Sequence, residues 1–115
     1  MTYSIHNPAV LLQAAKAANI HGQWDAKRCC LVQQDMHSGG EKRWQPLESS
    51  RDASQLQARL GLRVSVCKRV RRVRVEEPAL LEPRFVEVDY DEGTLQAATR
   101  KAIVLMASRL AEREP

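Results

Sequence analysis

The stretch 62–75 reads LRVSVCKRVRRVRV and decides the fold, because its pattern changes phase part-way along. From Leu62 to Val70 apolar and polar residues broadly alternate, which is the two-residue period of a half-buried strand. The last two valines fall on odd-numbered positions, so the alternation has slipped by one residue. We interpret the slip as a β-bulge at Arg71 or Arg72, which returns both valines to the core and leaves both arginines in water. The pattern therefore predicts one long strand.

The rest of the chain divides into segments with a helical or a strand period. Helices separated by hairpins imply an antiparallel sheet rather than a doubly wound parallel one. A length of 115 residues suits one domain. We therefore expect a single α+β domain over 1–115, with an antiparallel sheet of about four strands packed with helices in the order αββαββα. The segments are a helix from a cap at Asn7 to a stop near 19–22, strands 28–36 and 41–47 around a turn at 37–40, a helix over 49–61, strands 62–75 and 84–90, and a helix over 94–114.

The composition is that of an ordinary globular protein, with 43% hydrophobic and 28% charged residues. The formal net charge of +4 permits an acidic partner without demanding one. No run approaches the roughly 18 apolar residues that a membrane-spanning helix needs, and the N-terminus lacks a basic leader. Three cysteines are an odd number for a disulfide framework. These features predict a cytoplasmic protein of a bacterial host, with no membrane association.

Motifs for catalysis, for a metal and for a cofactor are missing from the sequence. Zinc sites use spaced ligand pairs, whereas Cys29 and Cys30 are adjacent, and adjacent side chains of a strand point to opposite faces. No nucleophile elbow, phosphate loop or dinucleotide fingerprint occurs. Cys67 lies near cations that could activate a thiol, although a filler thiol on a strand is the commoner case. We expect a protein that is not an enzyme and binds no metal or cofactor.

Five cations crowd seven positions of the third predicted strand, and two interpretations account for them. In one, they neutralise the phosphates of a nucleic acid while Trp24 and Trp44 stack on its bases. In the other, which we favour, Glu87 and Asp89 of the next strand lie opposite the arginines, and cross-strand pairs of opposite charge stabilise the sheet. The segment 63–92 carries seven basic and seven acidic residues, so it is neutral as a whole. The five cations are Lys68, Arg69, Arg71, Arg72 and Arg74.

The last helix carries a second, narrow apolar stripe nearly opposite its broad face. Ala97, Val104 and Ala111 recur there at heptad spacing. Single exposed apolar residues are normal on a protein surface, so small residues of high helix propensity account for the stripe. The alternative is a helix seam that joins two copies in a homodimer.

A set of short motifs occupies the chain from Arg43 onward. They are WQPL at 44–47, Asp52 with Ala53, Leu60 with the strand after it, and AATRKAIV at 97–104. Together they resemble the phage ABA-sandwich domain, a family of small uncharacterised proteins of phages and prophages. The resemblance implies a helix/sheet/helix sandwich encoded in phage or prophage DNA, with no activity that can be named. This chain keeps only part of the acidic, glycine-containing run that follows the Trp-x-Pro segment in that family.

The sequence as a whole therefore predicts a non-enzymatic accessory or interaction protein of phage type. Its partner is another protein or a second copy of the chain. The alternative is a nucleic-acid-binding module that uses the basic third strand.

Overall fold

The computed structural model describes residues 8–28, 30–34, 40–78 and 81–112. Within these ranges the chain forms three helices and six strands in the order αβββαβββα. The helices are α1 (Pro8–Ala17), α2 (Ser50–Leu60) and α3 (Leu95–Glu112). The strands are β1 (Gln23–Asp25), β2 (Cys30–Gln34), β3 (Glu41–Trp44), β4 (Arg63–Cys67), β5 (Arg72–Glu76) and β6 (Phe85–Asp89). The predicted α+β class, with antiparallel strands packed with helices, is confirmed.

The strands form two antiparallel sheets, ordered β1-β2-β3 and β4-β5-β6, instead of one sheet of about four strands. Each half of the chain therefore contains one strand more than predicted. In the first half the extra strand is β1, whose three residues are too short to show a period. In the second half the predicted third strand is two strands. The predicted cap at Asn7 and most of the predicted turn at 37–40 lie outside the described residues.

The change of phase in 62–75 is a hairpin turn, and the predicted bulge is wrong. β4 ends at Cys67, which pairs with Arg72 at the start of β5, and residues 68–71 connect them. Arg71 adopts a left-handed backbone with φ of 52° in this turn. Opposite residues of the two strands differ in parity, so the even-numbered valines of β4 share a face with the odd-numbered valines of β5. The reversal of the chain at 68–71 therefore accounts for the change from even-numbered to odd-numbered valines.

α3 lies at the centre of the molecule, against α1, α2, β5 and β6. Val104 is fully buried, at 0% exposure, and Ala111 is buried as well. Between them Ser108 donates its hydroxyl to Gln13 Oε1 of α1 at 2.8 Å, which identifies the covering element. Both interpretations of the stripe are therefore wrong for these two residues, the favoured one as exposed apolar residues and the alternative of a dimer seam, because α1 packs on that face of α3. Only Ala97 of the predicted stripe is exposed.

α2 begins and ends where the sequence predicts. The Ser49 hydroxyl caps the helix by accepting the Asp52 N–H at 3.2 Å, and Gly61 ends it with φ of 65°. Asp52 is buried, and its carboxylate accepts the Gln45 N–H at 2.8 Å. One side chain therefore joins the end of β3 to the first turn of α2.

Replacing Asp52 with alanine should lower the free energy of unfolding by about 1–3 kcal/mol, because the Gln45 N–H loses its acceptor and α2 loses an acid at its N-terminus. Urea unfolding followed by circular dichroism measures the loss. Asp52→Asn is the control, since its amide oxygen still accepts a hydrogen bond and should preserve part of the stability. Equal stability of Asp52→Ala and the wild type would contradict a joining role.

Candidate interaction surface: the β4–β5 hairpin

A charge ladder lies next to the turn of the hairpin. It consists of Arg72 and Arg74 of β5 with Glu87 and Asp89 of β6. The register places Arg72 opposite Asp89 and Arg74 opposite Glu87. Arg72 Nε donates to Asp89 Oδ1 at 2.8 Å, and its Nη1 lies 3.5 Å from Glu87 Oε2. The predicted cross-strand pairing is therefore confirmed for Arg72.

Arg74 is engaged in a different way. Its Nε lies 2.8 Å from Glu76 Oε1, an ion pair that lies off the hydrogen-bonding direction. Its guanidinium carbon stands 3.8 Å from the centre of the Phe85 ring, within the range of a cation–π interaction. Glu76 also lies 3.6 Å from Arg63 on β4. Both arginines of β5 thus have acceptors or an aromatic face within the sheet itself.

Arg72 keeps its positive charge over the ordinary pH range. The hydrogen bond that Arg72 donates to Asp89, together with the charges of Asp89 and Glu87, raises the pKa of Arg72 above its usual value. A raised pKa stabilises the folded state below the unfolded-state pKa, and this stabilisation is lost only as pH rises through the folded-state pKa. For a guanidinium that window lies in strong alkali. The arginine side of the pair therefore introduces no pH dependence near neutrality.

The tip of the hairpin, residues 68–71, is exposed along its whole length. Among the described residues no ion pair or side-chain hydrogen bond involves Lys68, Arg69 or Arg71. Val70 stands between the cations with 55% of its surface exposed. The Arg71 carbonyl accepts the Tyr90 N–H at 2.9 Å, which fixes the turn to the end of β6. The tip thus presents unpaired cations and one apolar side chain on an anchored backbone.

The five cations predicted for nucleic-acid binding are therefore divided. Lys68, Arg69 and Arg71 lie at the tip, whereas Arg72 and Arg74 belong to the ladder. Neither tryptophan supports the predicted stacking on bases. Trp44 is buried in the core, and Trp24 is half-buried in β1 of the other sheet.

A groove runs beside β4, and no local pattern in the sequence signals it, because three segments that lie far apart in the chain form it. It has a volume of about 260 Å³ and lies between α2 and α3. Val66 of β4 borders it with 41% of its surface exposed. The other lining residues are Ser50, Ala53, Ser54, Gln57, Leu95, Gln96, Thr99, Arg100 and Ile103.

The part of the chain that the structure describes contains neither a metal-holding group nor a membrane-spanning helix. Residues 8–28, 30–34, 40–78 and 81–112 contain no group of three or more histidine, cysteine, aspartate or glutamate side chains able to hold a metal ion. None of the helices described there is long and apolar enough to cross a membrane. Cys67 is exposed and Cys30 is buried in the other sheet, while Cys29 lies outside the described residues.

Comparisons of this chain with protein-family models, with curated proteins and with solved structures find no match. The functional proposal therefore depends on the hairpin and the groove.

Proposed function

We propose that this chain is a non-enzymatic accessory or interaction protein of phage or prophage type, acting in the cytoplasm of a bacterial host. It docks onto a protein partner through the tip of the β4–β5 hairpin. The observation that carries this proposal is the set of three unpaired cations around the exposed Val70. Its phage character is supported by the motif resemblance alone.

The mixed chemistry of the tip favours a protein partner. Arginine is enriched in protein–protein interfaces, where it combines a charge with a flat apolar surface. Val70 adds an apolar contact at the centre of the tip, and Val66 adds another at the end of β4. An acidic surface on the partner would complement the cations and set the orientation of docking. The partner is thus expected to carry carboxylates around an apolar position.

A photo-crosslinking amino acid placed at Val70 tests this proposal in host cells. We expect one dominant protein adduct, identified by mass spectrometry. The same amino acid at Ala97, which is exposed on α3, is the control and should give no such adduct. Absence of a discrete adduct at Val70, or the same adducts from both positions, would contradict docking through the tip.

The tip cations should be necessary for that adduct. The triple variant Lys68→Gln, Arg69→Gln, Arg71→Gln is expected to lower its yield by about tenfold or more, because docking contacts are concentrated in few residues. Its thermal unfolding should match the wild type, since the three side chains have no described partners. A matched variant removes three exposed cations elsewhere and should retain the adduct: Lys16→Gln, Arg51→Gln and Lys101→Gln. Equal losses in both variants would indicate a general effect of net charge.

Nucleic acid is the second candidate partner, and the unpaired tip cations are the observation that favours it. Three phosphate contacts would give an affinity that falls with salt at a log–log slope of about −2.7. Titration of labelled mixed-sequence DNA and RNA at low and moderate salt measures this slope. Under the leading proposal no saturable binding occurs at low ionic strength. Binding with the stated slope, abolished in the triple tip variant, would instead establish the nucleic-acid function.

A further inference from the structure

We propose that the outer edge of β4 accepts an extended, acid-flanked segment of the partner as an added strand, with alternate side chains of that segment entering the groove between α2 and α3. This inference rests on the proposed function and specifies the partner's chemistry. Addition of a strand to an open sheet edge is a common form of peptide recognition, in which main-chain hydrogen bonds give affinity and pockets give specificity.

The edge of β4 is open. Within the part of the chain that the structure describes, β4 lies at the end of its sheet and pairs with β5 alone. Among the described residues no backbone or side-chain hydrogen bond covers the other side of residues 64–67. The opposite edge strand, β6, is different, because Arg109 Nη1 donates to the Phe85 carbonyl at 3.2 Å. Proteins commonly protect edge strands with lysine or proline, and the VSVC sequence of 64–67 contains neither.

The inner face of β4 extends beyond the helix that covers the sheet. Side chains opposite each other in a strand pair share a face, so Val64 and Val66 lie on the same face as Val75 and Val73. Both β5 valines are fully buried, whereas Val66 is 41% exposed. α3 therefore covers the middle of the sheet and leaves the groove beside the far end of β4. A neighbouring strand would direct every second side chain toward this groove.

The charges around the edge select an acidic segment. None of the described residues that line the groove carries a carboxylate. Arg100 on its wall is held in place by donating to the Leu47 carbonyl at 2.9 Å and to Ser50 Oγ at 3.1 Å. Arg63 lies at one end of β4, and Lys68 and Arg69 follow its other end. We therefore expect a segment with acids at its ends, which would face the cations at the two ends of β4. Its centre should carry small or β-branched apolar residues, which would face the groove.

The same charges disfavour a second copy of the chain as the occupant. Antiparallel pairing of two β4 strands about Ser65 would place Arg63 of one copy opposite Cys67 of the other. The diagonal neighbour of Arg63 on the same face is then the tip cation Arg69 of the second copy, and like charges on neighbouring strands destabilise pairing. A partner segment with acidic ends has no such repulsion.

Binding of a labelled peptide of sequence EDVTVTVDE, measured by fluorescence anisotropy, tests this inference. The variants are Val66→Lys and Leu12→Lys, which introduce the same cation at two apolar residues of similar exposure, 41% and 42%. Leu12 lies on α1 and belongs neither to the tip nor to the lining of the groove. A general attraction between charges would strengthen binding in both. We expect Val66→Lys to weaken binding by about tenfold or more, because its side chain occupies the groove, a loss equivalent to about 1.4 kcal/mol. Leu12→Lys should bind at least as well as the wild type.

A second peptide and amide hydrogen exchange locate the binding. The peptide EDVTPTVDE carries proline at its centre, which removes a ladder donor, and should bind much more weakly. Amides of 64–67 should gain protection when EDVTVTVDE is added. Equal affinities of Val66→Lys and Leu12→Lys, absence of saturable binding, or protection confined to the tip would overturn strand addition. A β4-protected dimer without peptide would also overturn it and identify a second copy as the occupant. The Val70 crosslink to a protein would stand in each of these cases.

Discussion

Val104→Asp is expected to produce the largest loss of stability. Val104 is completely buried where α1 packs on α3. A carboxylate at that position would be buried without a partner, and we expect a loss of more than about 3 kcal/mol. Small domains have a total stability of about 5–15 kcal/mol, so this loss consumes a large share of it. Circular dichroism and urea unfolding measure the change.

Ala97→Asp is the matched control for this substitution. Ala97 belongs to the same heptad stripe but is exposed, so its replacement should cost less than about 1 kcal/mol, mainly through the lower helix propensity of aspartate. A dimer seam would produce another result: both variants would stay folded as monomers. Size-exclusion chromatography with light scattering distinguishes the two accounts.

Glu77→Ala is expected to produce the second largest loss of stability. Glu77 is 5% exposed, and its Oε1 accepts the Arg84 N–H at 3.0 Å. Its own N–H donates to the Arg84 carbonyl at 3.0 Å, and Oε2 lies 3.5 Å from Arg84 Nε. This carboxylate thus joins the end of β5 to the residue before β6, and through them it supports the charge ladder.

We place the loss for Glu77→Ala at about 2–4 kcal/mol, since it leaves the partly buried Arg84 guanidinium without its ion-pair partner and the Arg84 backbone N–H without its acceptor. Glu77→Gln retains an oxygen acceptor and should lose less. The neighbouring variant Glu76→Ala removes only ion pairs near the surface and should cost less than about 1 kcal/mol. Urea unfolding of the three variants checks this order, and a larger loss for Glu76→Ala than for Glu77→Ala would contradict it.

Local signals were sufficient to predict several elements. The serine before α2 and the glycine after it are standard capping residues, and both act as such. Asn19 ends the α1 segment with φ of 57°, as predicted. In each case the interactions lie within a few residues, so the sequence alone contains the necessary information.

The central hairpin was beyond local inference. The turn at 68–71 contains no glycine, proline, asparagine or aspartate, which are the residues that usually mark a reversal. A bulge and a four-residue turn both return the valines to one face, so the hydrophobic pattern fits either. Whether the chain forms a bulge or a turn depends on whether β4 and β5 pair with each other. The turn is also what separates the tip cations from those of the ladder.

The burial of the stripe on α3 and the presence of the groove could not be inferred from the sequence for a related reason. Whether Val104 faces water depends on where α1 docks, some ninety residues earlier in the chain. The groove needs α2, β4 and α3 together. Periodicity indicates that a face is apolar, but it does not indicate which other segment covers that face.

The division of the hairpin into a self-paired ladder and an open tip is tested most directly by the yield of the protein adduct at Val70. Three variants are compared: the triple tip variant, the matched triple variant at Lys16, Arg51 and Lys101, and the ladder variant Arg72→Gln, Arg74→Gln. We predict a loss of about tenfold or more for the tip variant alone, with yields near the wild type for the other two. An equal or larger loss in a folded ladder variant would contradict the division.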